Sequence, residues 1–233
     1  MLMQQRMSEY FSPKSVKGLI PHRIIFFLLL FALFSLAIFS SPARAFAQPE
    51  IFQTENAGEL ISVPTANILQ GRGRIGAEYF GQSSRIFGAF SLENFIEVGG
   101  QVKAEELGLL LKVRILAEER EIPALAAGIR QTSPYFVASK YLGTNTSVHF
   151  GIGESEPDGL FLAFNTVFNP EVQGIVYALD DNDEFAMPRT NLMLEIIEDE
   201  VNAGIRTALA PELAAELSVL DLENIKAGIN FNF

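Results

Sequence analysis

The chain of 233 residues contains no cysteine and no tryptophan. Without cysteine there are no disulfides and no thiolate chemistry, so an exported form must rely on packing and hydrogen bonding. Histidine is nearly absent as well: His22 and His149 are the only two. No H-E-x-x-H, paired-cysteine or EF-hand spacing occurs, so neither a metal centre nor a cofactor is expected. Positive charge is scarce. The first 47 positions hold five of the 17 basic residues and one of the 28 acidic ones, which leaves 12 against 27 and a net charge of −15 for the remainder. So acidic a chain does not suit nucleic acid, whose phosphates require basic patches. Long apolar runs are missing after residue 47, so no transmembrane helix is expected there.

What is present begins with an address. Ile24 to Phe39 is a run of 16 apolar or small residues. It follows Lys17, His22 and Arg23 and leads into Ala43-Arg44-Ala45-Phe46-Ala47. A basic region, an apolar stretch and small residues before a cleavage point make a secretory signal peptide over 1–47. Cleavage after Ala45 and after Ala47 both fit. Residues 48–59 then read as a periplasmic N-terminal segment, and 60–233 as one domain.

From residue 60 onward the dominant period is two. Ile225, Ala227, Ile229, Phe231 and Phe233 alternate with Lys226, Gly228, Asn230 and Asn232. One face is apolar and the other polar or bare, as in a strand between oil and a polar lumen. The same alternation runs through 109–118, 124–130, 148–153, 201–209 and 213–220. Pro, Gly and short polar clusters separate these runs at the spacing of an all-β meander. The segments 107–120 and 208–222 contain good helix formers, but their apolar period is two and they read as strands. About fourteen strands result: 60–69, 73–83, 86–92, 94–103, 108–118, 123–131, 135–143, 147–155, 159–169, 172–180, 190–198, 202–210, 212–220 and 225–233. A kinked single strand over 86–103 would bring the number towards twelve. An even count with short connections describes an up-and-down antiparallel barrel with both ends on one side.

A soluble sandwich also alternates, with its apolar face inward. Here the polar face carries charges of both signs: Glu78, Lys112, Arg114, Arg130, Lys140, Glu195, Arg206, Glu216 and Lys226. These read as lumen-facing, paired across strands or in contact with a glycan. Closure is required in lipid, because no water satisfies an open edge there. The chain ends on an aromatic residue at the close of an alternating strand. Ile229, Phe231 and Phe233 thus read as an assembly signal for the outer-membrane barrel assembly machinery. The expectation is a closed transmembrane β-barrel surrounded by outer-membrane lipid, with the last strand pairing with 60–69.

The stretch Leu109 to Gly153 carries a further signal. Its lysine–arginine strand with Glu118 is followed by Pro123-Ala124-Leu125-Ala126, Gly128-Ile129-Arg130, Val137-Ala138-Ser139-Lys140 and Gly151-Ile152-Gly153. With Leu60-Ile61-Ser62-Val63-Pro64-Thr65-Ala66, this resembles the YjbH-like family of outer-membrane β-barrels associated with exopolysaccharide secretion. The resemblance implies a short member, with acidic polysaccharide or its export components as partners. One departure is that Gln131-Thr132-Ser133-Pro134 follows Arg130 directly, without the family's Gly-rich insertion.

The function expected is a structural, pore or export-accessory role, and not an enzyme. The alternatives are a lipid-acting outer-membrane enzyme or a secreted β-sandwich binding module. His149, with Ser147 on the same face, is the only catalytic candidate, and it reads as an ordinary lumen or rim histidine. Asp180 to Glu184 reads as a solvated acidic loop rather than a cation site.

Overall fold

The computed structural model describes residues 59–69, 73–154, 157–172 and 187–233. Twelve strands form one sheet closed on itself. They are β1 (Gly73–Phe80), β2 (Ser83–Leu92), β3 (Ile96–Lys103), β4 (Glu106–Leu116), β5 (Ala124–Arg130) and β6 (Ser133–Leu142). β7 (Thr146–Glu154), β8 (Asp158–Phe168), β9 (Thr190–Ile197), β10 (Glu200–Ala208), β11 (Leu213–Leu220) and β12 (Asn224–Asn232) complete the circuit. Each strand is antiparallel to its neighbours in sequence, and β12 returns to β1. At that seam the register runs from Arg74 opposite Asn232 to Phe80 opposite Lys226. The terminal residue fastens it: Gly73 N–H donates to the Phe233 carbonyl at 2.7 Å, and Phe233 N–H to the Gly73 carbonyl at 2.9 Å.

The two-residue period sorts every strand into an outer and an inner face. The outer face is apolar around the circuit. Ile75 and Tyr79 on β1, Ile86 and Phe90 on β2, Leu107 to Ile115 at odd positions of β4, Leu192 and Leu194 on β9, and Ile225, Ile229 and Phe231 on β12 all lie exposed. Leu107 is 78 % exposed and Ile225 62 %. The buried charged residues of the strands lie almost entirely on the inner face. Among the described residues there is no helix long and apolar enough to cross a membrane, a fact without bearing on strands that cross one.

The two mouths differ. β1 begins and β12 ends at one mouth, where the β8–β9 connection is the longest. At the other, all six connections are two or three residues long. The β3–β4 hairpin turns on Ala104 and Glu105, with φ of 50° and 71°. Left-handed backbone at both central positions matches the right-handed twist of the flanking strands.

Two expectations change. Leu60 to Leu69 is not a strand of the barrel, and the last strand pairs with Gly73–Phe80 instead. The reason is visible in its apolar residues. Leu60, Ile61, Val63, Ala66, Ile68 and Leu69 follow no two-residue period, and all are buried. Such a segment cannot divide itself between lipid and lumen. It lies inside the barrel. Second, β8 pairs directly with β9, from Phe161 opposite Ile197 to Phe168 opposite Thr190, so no strand over 172–180 stands between them. All but the first residue of that run lie outside the described residues, as do the acidic loop Asp180 to Glu184, the signal peptide and 48–58. The two separate strands expected at 86–92 and 94–103 are present as β2 and β3, not as one kinked strand. The number twelve therefore arises by loss of the runs at 60–69 and 172–180, not by a kink.

Candidate functional site

The inner wall has two unlike halves. From β9 through β12 and β1 to β5 it presents Glu195, Arg206, Glu216, Lys226, Arg74, Glu78, Arg85, Glu97, Lys112 and Arg130, all buried. On β6 to β8 it presents Val137, Ser139, Tyr141, Ser147, His149, Phe161, Ala163, Asn165 and Val167, none of them charged.

Five of the charges form a ladder across five adjacent strands. Arg85 Nε donates to Glu78 Oε2 at 2.9 Å. The other oxygen of Glu78 lies 3.1 Å from Lys226 Nζ. Lys226 Nζ is also 3.0 Å from Glu216 Oε1. Arg206 then donates to Glu216 Oε2 from Nε at 3.0 Å and from Nη2 at 2.6 Å. Signs alternate along β2, β1, β12, β11 and β10, so each interior member sits between two opposite charges. For side chains this buried, that arrangement offsets the desolvation a single charge would suffer. A separate pair, Lys112 and Glu97, stands at 3.2 Å between β4 and β3.

Residues 59–69 fill the space this wall encloses. The carboxylate of Glu59 bridges Arg85 and Arg130. Burial opposes ionisation of Glu59, but the charges of Arg130, Arg85 and Lys226 outweigh it, and its pKa falls to about 2. The apolar side chains of Leu60, Ile61, Val63 and Ala66 pack with Ala124, Ala126, Val137, Phe161, Ala163 and Met193. Their polar main chain meets the charged wall. Beyond Ile61 and Ser62 a cavity of about 450 Å³ opens towards the mouth of short hairpins, lined also by Arg85, Arg130, Glu198 and Lys226.

His149 is fully buried. Ser139 Oγ lies 2.7 Å from its Nδ1 and Ser147 Oγ 3.0 Å from its Nε2. Ser139 Oγ also accepts the Ala66 N–H at 2.8 Å. A Ser–His–Asp centre would have a carboxylate on one ring nitrogen and an accessible serine on the other. Here both nitrogens serve packing of the uncharged half-wall.

The residues predicted to face the lumen are placed as follows. Glu78, Lys112, Arg130, Glu195, Arg206, Glu216 and Lys226 are on the inner wall and buried. Arg114 has the inward phase but reaches the rim, where its guanidinium contacts the Asn94 carbonyl. Lys140 does not face the lumen. The register of β6 is regular, and Ser139 contacts His149 inside, so Lys140 falls on the outer phase. It is held at the rim by the Glu119 carbonyl at 2.5 Å, the Arg120 carbonyl at 3.1 Å and the Glu118 carboxylate at 3.2 Å. Its Nζ thus closes the β4–β5 connection. On β12 the side chains of Ile229 and Phe231 face outward and are exposed, as is Phe233 just beyond the strand.

Glu59, Arg74, Arg85 and Glu97 escape the sequence reading. Arg74 was legible, since Arg74, Gly76 and Glu78 alternate with Ile75, Ala77 and Tyr79. Arg85 was harder, because the inner face of β2 continues as the apolar Phe87 and Ala89 before Ser91.

No family model and no curated protein matches the chain. Among solved structures it is similar to a KdgM porin, at 11% identity and a TM-score of 0.45, over 70% of this chain and 99% of that one. A structure of the KdgM porin in complex with disordered oligogalacturonate gives 10% identity and 0.42, over 70% and 98%. The Acinetobacter baumannii outer membrane protein Omp33 gives 10% identity and 0.42, over 70% and 96%.

Proposed function

We propose that this chain is a bacterial outer-membrane β-barrel that serves as a pore closed at rest by its own residues 59–69. One observation carries the reading. A closed sheet exposes a continuous apolar outer face while it buries its ladder of charges within. In water that surface would aggregate; in a bilayer it is the required exterior, and closure leaves no edge unsatisfied. The export signal and the outward aromatic end of β12, suited to recognition by the assembly machinery, support the outer membrane as the destination. The test is gel migration of detergent-extracted protein with and without boiling, followed by current measurement in a planar bilayer. Identical migration before and after boiling would count against the barrel. A large steady current through the wild-type protein would count against the resting closure.

The finer reading is an accessory role in secretion of an acidic exopolysaccharide. Two features support it: the YjbH-like character of 109–153, and a buried wall with six cations (Arg74, Arg85, Lys112, Arg130, Arg206 and Lys226) against four carboxylates. Reversing Lys112 and Arg130 together in a folded barrel should lower glycan export and anion preference; unchanged values would end this reading. A lipid-acting enzyme finds less support, because His149 has no exposed surface. Lipid release that disappears in His149→Ala would revive it.

A further inference from the structure

The wall holds residues 59–69 largely by their main chain. Arg206 donates to the Leu60 carbonyl at 2.5 Å, Lys226 to Ile61 at 2.6 Å, Arg130 to Ser62 at 2.8 Å and Lys112 to Asn67 at 2.6 Å. Four buried cations thus meet four main-chain oxygens. The complementary contact is Glu195. Its carboxylate accepts the N–H groups of Ile61 at 2.8 Å, Ser62 at 2.9 Å and Val63 at 2.9 Å. Those three N–H groups converge because Leu60 to Val63 is a tight turn, closed by Leu60 N–H on the Val63 carbonyl at 3.0 Å. Successive N–H groups in a turn form a concave nest for an anion, and here the wall supplies the anion. Polar side chains add to these contacts at the Glu59 carboxylate, which bridges Arg85 and Arg130, and at the Ser62 hydroxyl, which donates to Glu195 at 2.6 Å and accepts from Asn202 at 3.2 Å.

From this geometry we infer that the lumen is a peptide-binding site, and that residues 59–69 are its resident ligand. Main-chain groups are common to all peptides. The wall therefore selects a shape and a class: a tight turn of small and apolar residues, led by a carboxylate for Arg85 and Arg130. Charged side chains after the lead position are excluded, because Leu60, Ile61, Val63 and Ala66 fill an apolar half-wall with no exposed surface. The site is open to a second peptide only when the resident one leaves, and the cavity of about 450 Å³ beside Ser62 gives a displaced turn room to begin doing so. This inference rests on the barrel reading for its setting and goes beyond it in naming a ligand class.

The test uses the full chain carrying Val63→Asp. A carboxylate at that fully buried apolar position loosens the resident segment and leaves the wall intact. Heat-modifiable migration first verifies a closed barrel. A fluorescent synthetic peptide with the sequence of residues 59–69 is then titrated. The expected result is saturable binding, weakened roughly tenfold or more by scrambling the peptide or by adding Glu195→Gln, as for loss of a charge-assisted hydrogen bond. Equal binding of native and scrambled peptide to a heat-modifiable barrel would overturn the inference and leave the barrel standing. A wild-type protein that is not heat-modifiable would instead overturn the barrel. Should the Val63→Asp chain fail to assemble, Ser62→Cys in the otherwise wild-type chain provides a single thiol. Adding Glu195→Gln should raise its labelling rate roughly tenfold, and equal rates would overturn the inference.

Discussion

The ladder makes a prediction that separates two chemically identical substitutions. Glu78→Gln and Glu216→Gln each remove one buried carboxylate that contacts two cations. Their neighbours are left differently. After Glu78→Gln, Arg85 keeps Glu59 and Lys226 keeps Glu216. Every cation retains a carboxylate, and the cost should resemble one weakened charged hydrogen bond, about 1.5–3 kcal/mol. After Glu216→Gln, Lys226 keeps Glu78, but Arg206 loses the carboxylate that held both its Nε and Nη2. A buried charge stripped of its counterion costs about 3–5 kcal/mol. For a folded domain of this size, 1 kcal/mol moves the midpoint by roughly 2–4 °C. The two variants should therefore differ by roughly 5 °C or more in the temperature at which the fast-migrating band converts to the unfolded one. Removing the stranded cation, in Arg206→Met with Glu216→Leu, should recover much of the loss. Equal midpoints for Glu78→Gln and Glu216→Gln, or no recovery in the double variant, would refute the ladder as the source of stability.

Other expectations follow from single positions. Ile229→Asp places a carboxylate on the outer face near mid-strand, at a cost of about 2 kcal/mol on lipid exposure, and deletion of Phe233 removes the last seam contacts; both should lower the yield of the heat-modifiable form. Arg at Asn230 would adjoin Arg74 and Arg206 across a space of about 30 Å³, so Asn230→Glu should assemble better than Asn230→Arg. A Cβ at Gly73 would lie 2.4 Å from the Phe233 ring, so Gly73→Ala should slow assembly in a pulse experiment. Asn-Gly in place of Ala104-Glu105 suits a turn with two positive φ values, and should raise the conversion midpoint by the equivalent of about 1–2 kcal/mol. Glu59 is more acidic inside the barrel than the ordinary carboxyl at 4.5. Its stabilisation of the resident segment should therefore be complete above about pH 4.5 and fade as the pH falls towards 2, read as labelling of a thiol at Ser62→Cys.

Strand positions were legible because lipid and lumen impose opposite demands on successive residues, and β1, β4, β9, β10 and β12 show this as a plain alternation. β2 shows it poorly, with Phe87 inside and Phe90 outside. The error at 60–69 has a physical cause. A short apolar run bounded by turn residues looks the same whether it lies in a sheet or in a buried segment. Only the absence of a two-residue period, together with Pro64, distinguished them. Lys140 was misplaced for a related reason: Tyr135-Phe136-Val137-Ala138 is apolar on both faces, so the sequence gives no phase to β6. Which charges pair was beyond reading, since Arg85 reaches Glu59 only once that segment folds back into the barrel.

The ladder also crosses the place where the sheet must find its own end. Glu78 belongs to the first strand and Lys226 to the last, and the two meet only when Arg74 stands opposite Asn232. A slip of one residue would turn Lys226 out into lipid. A slip of two would keep the faces correct but draw Lys226 away from Glu78 and Phe233 away from Gly73. The seam thus proofreads its alignment: a barrel zipped in the wrong frame has a broken charge sequence at its last joint, and can reopen before the error is sealed.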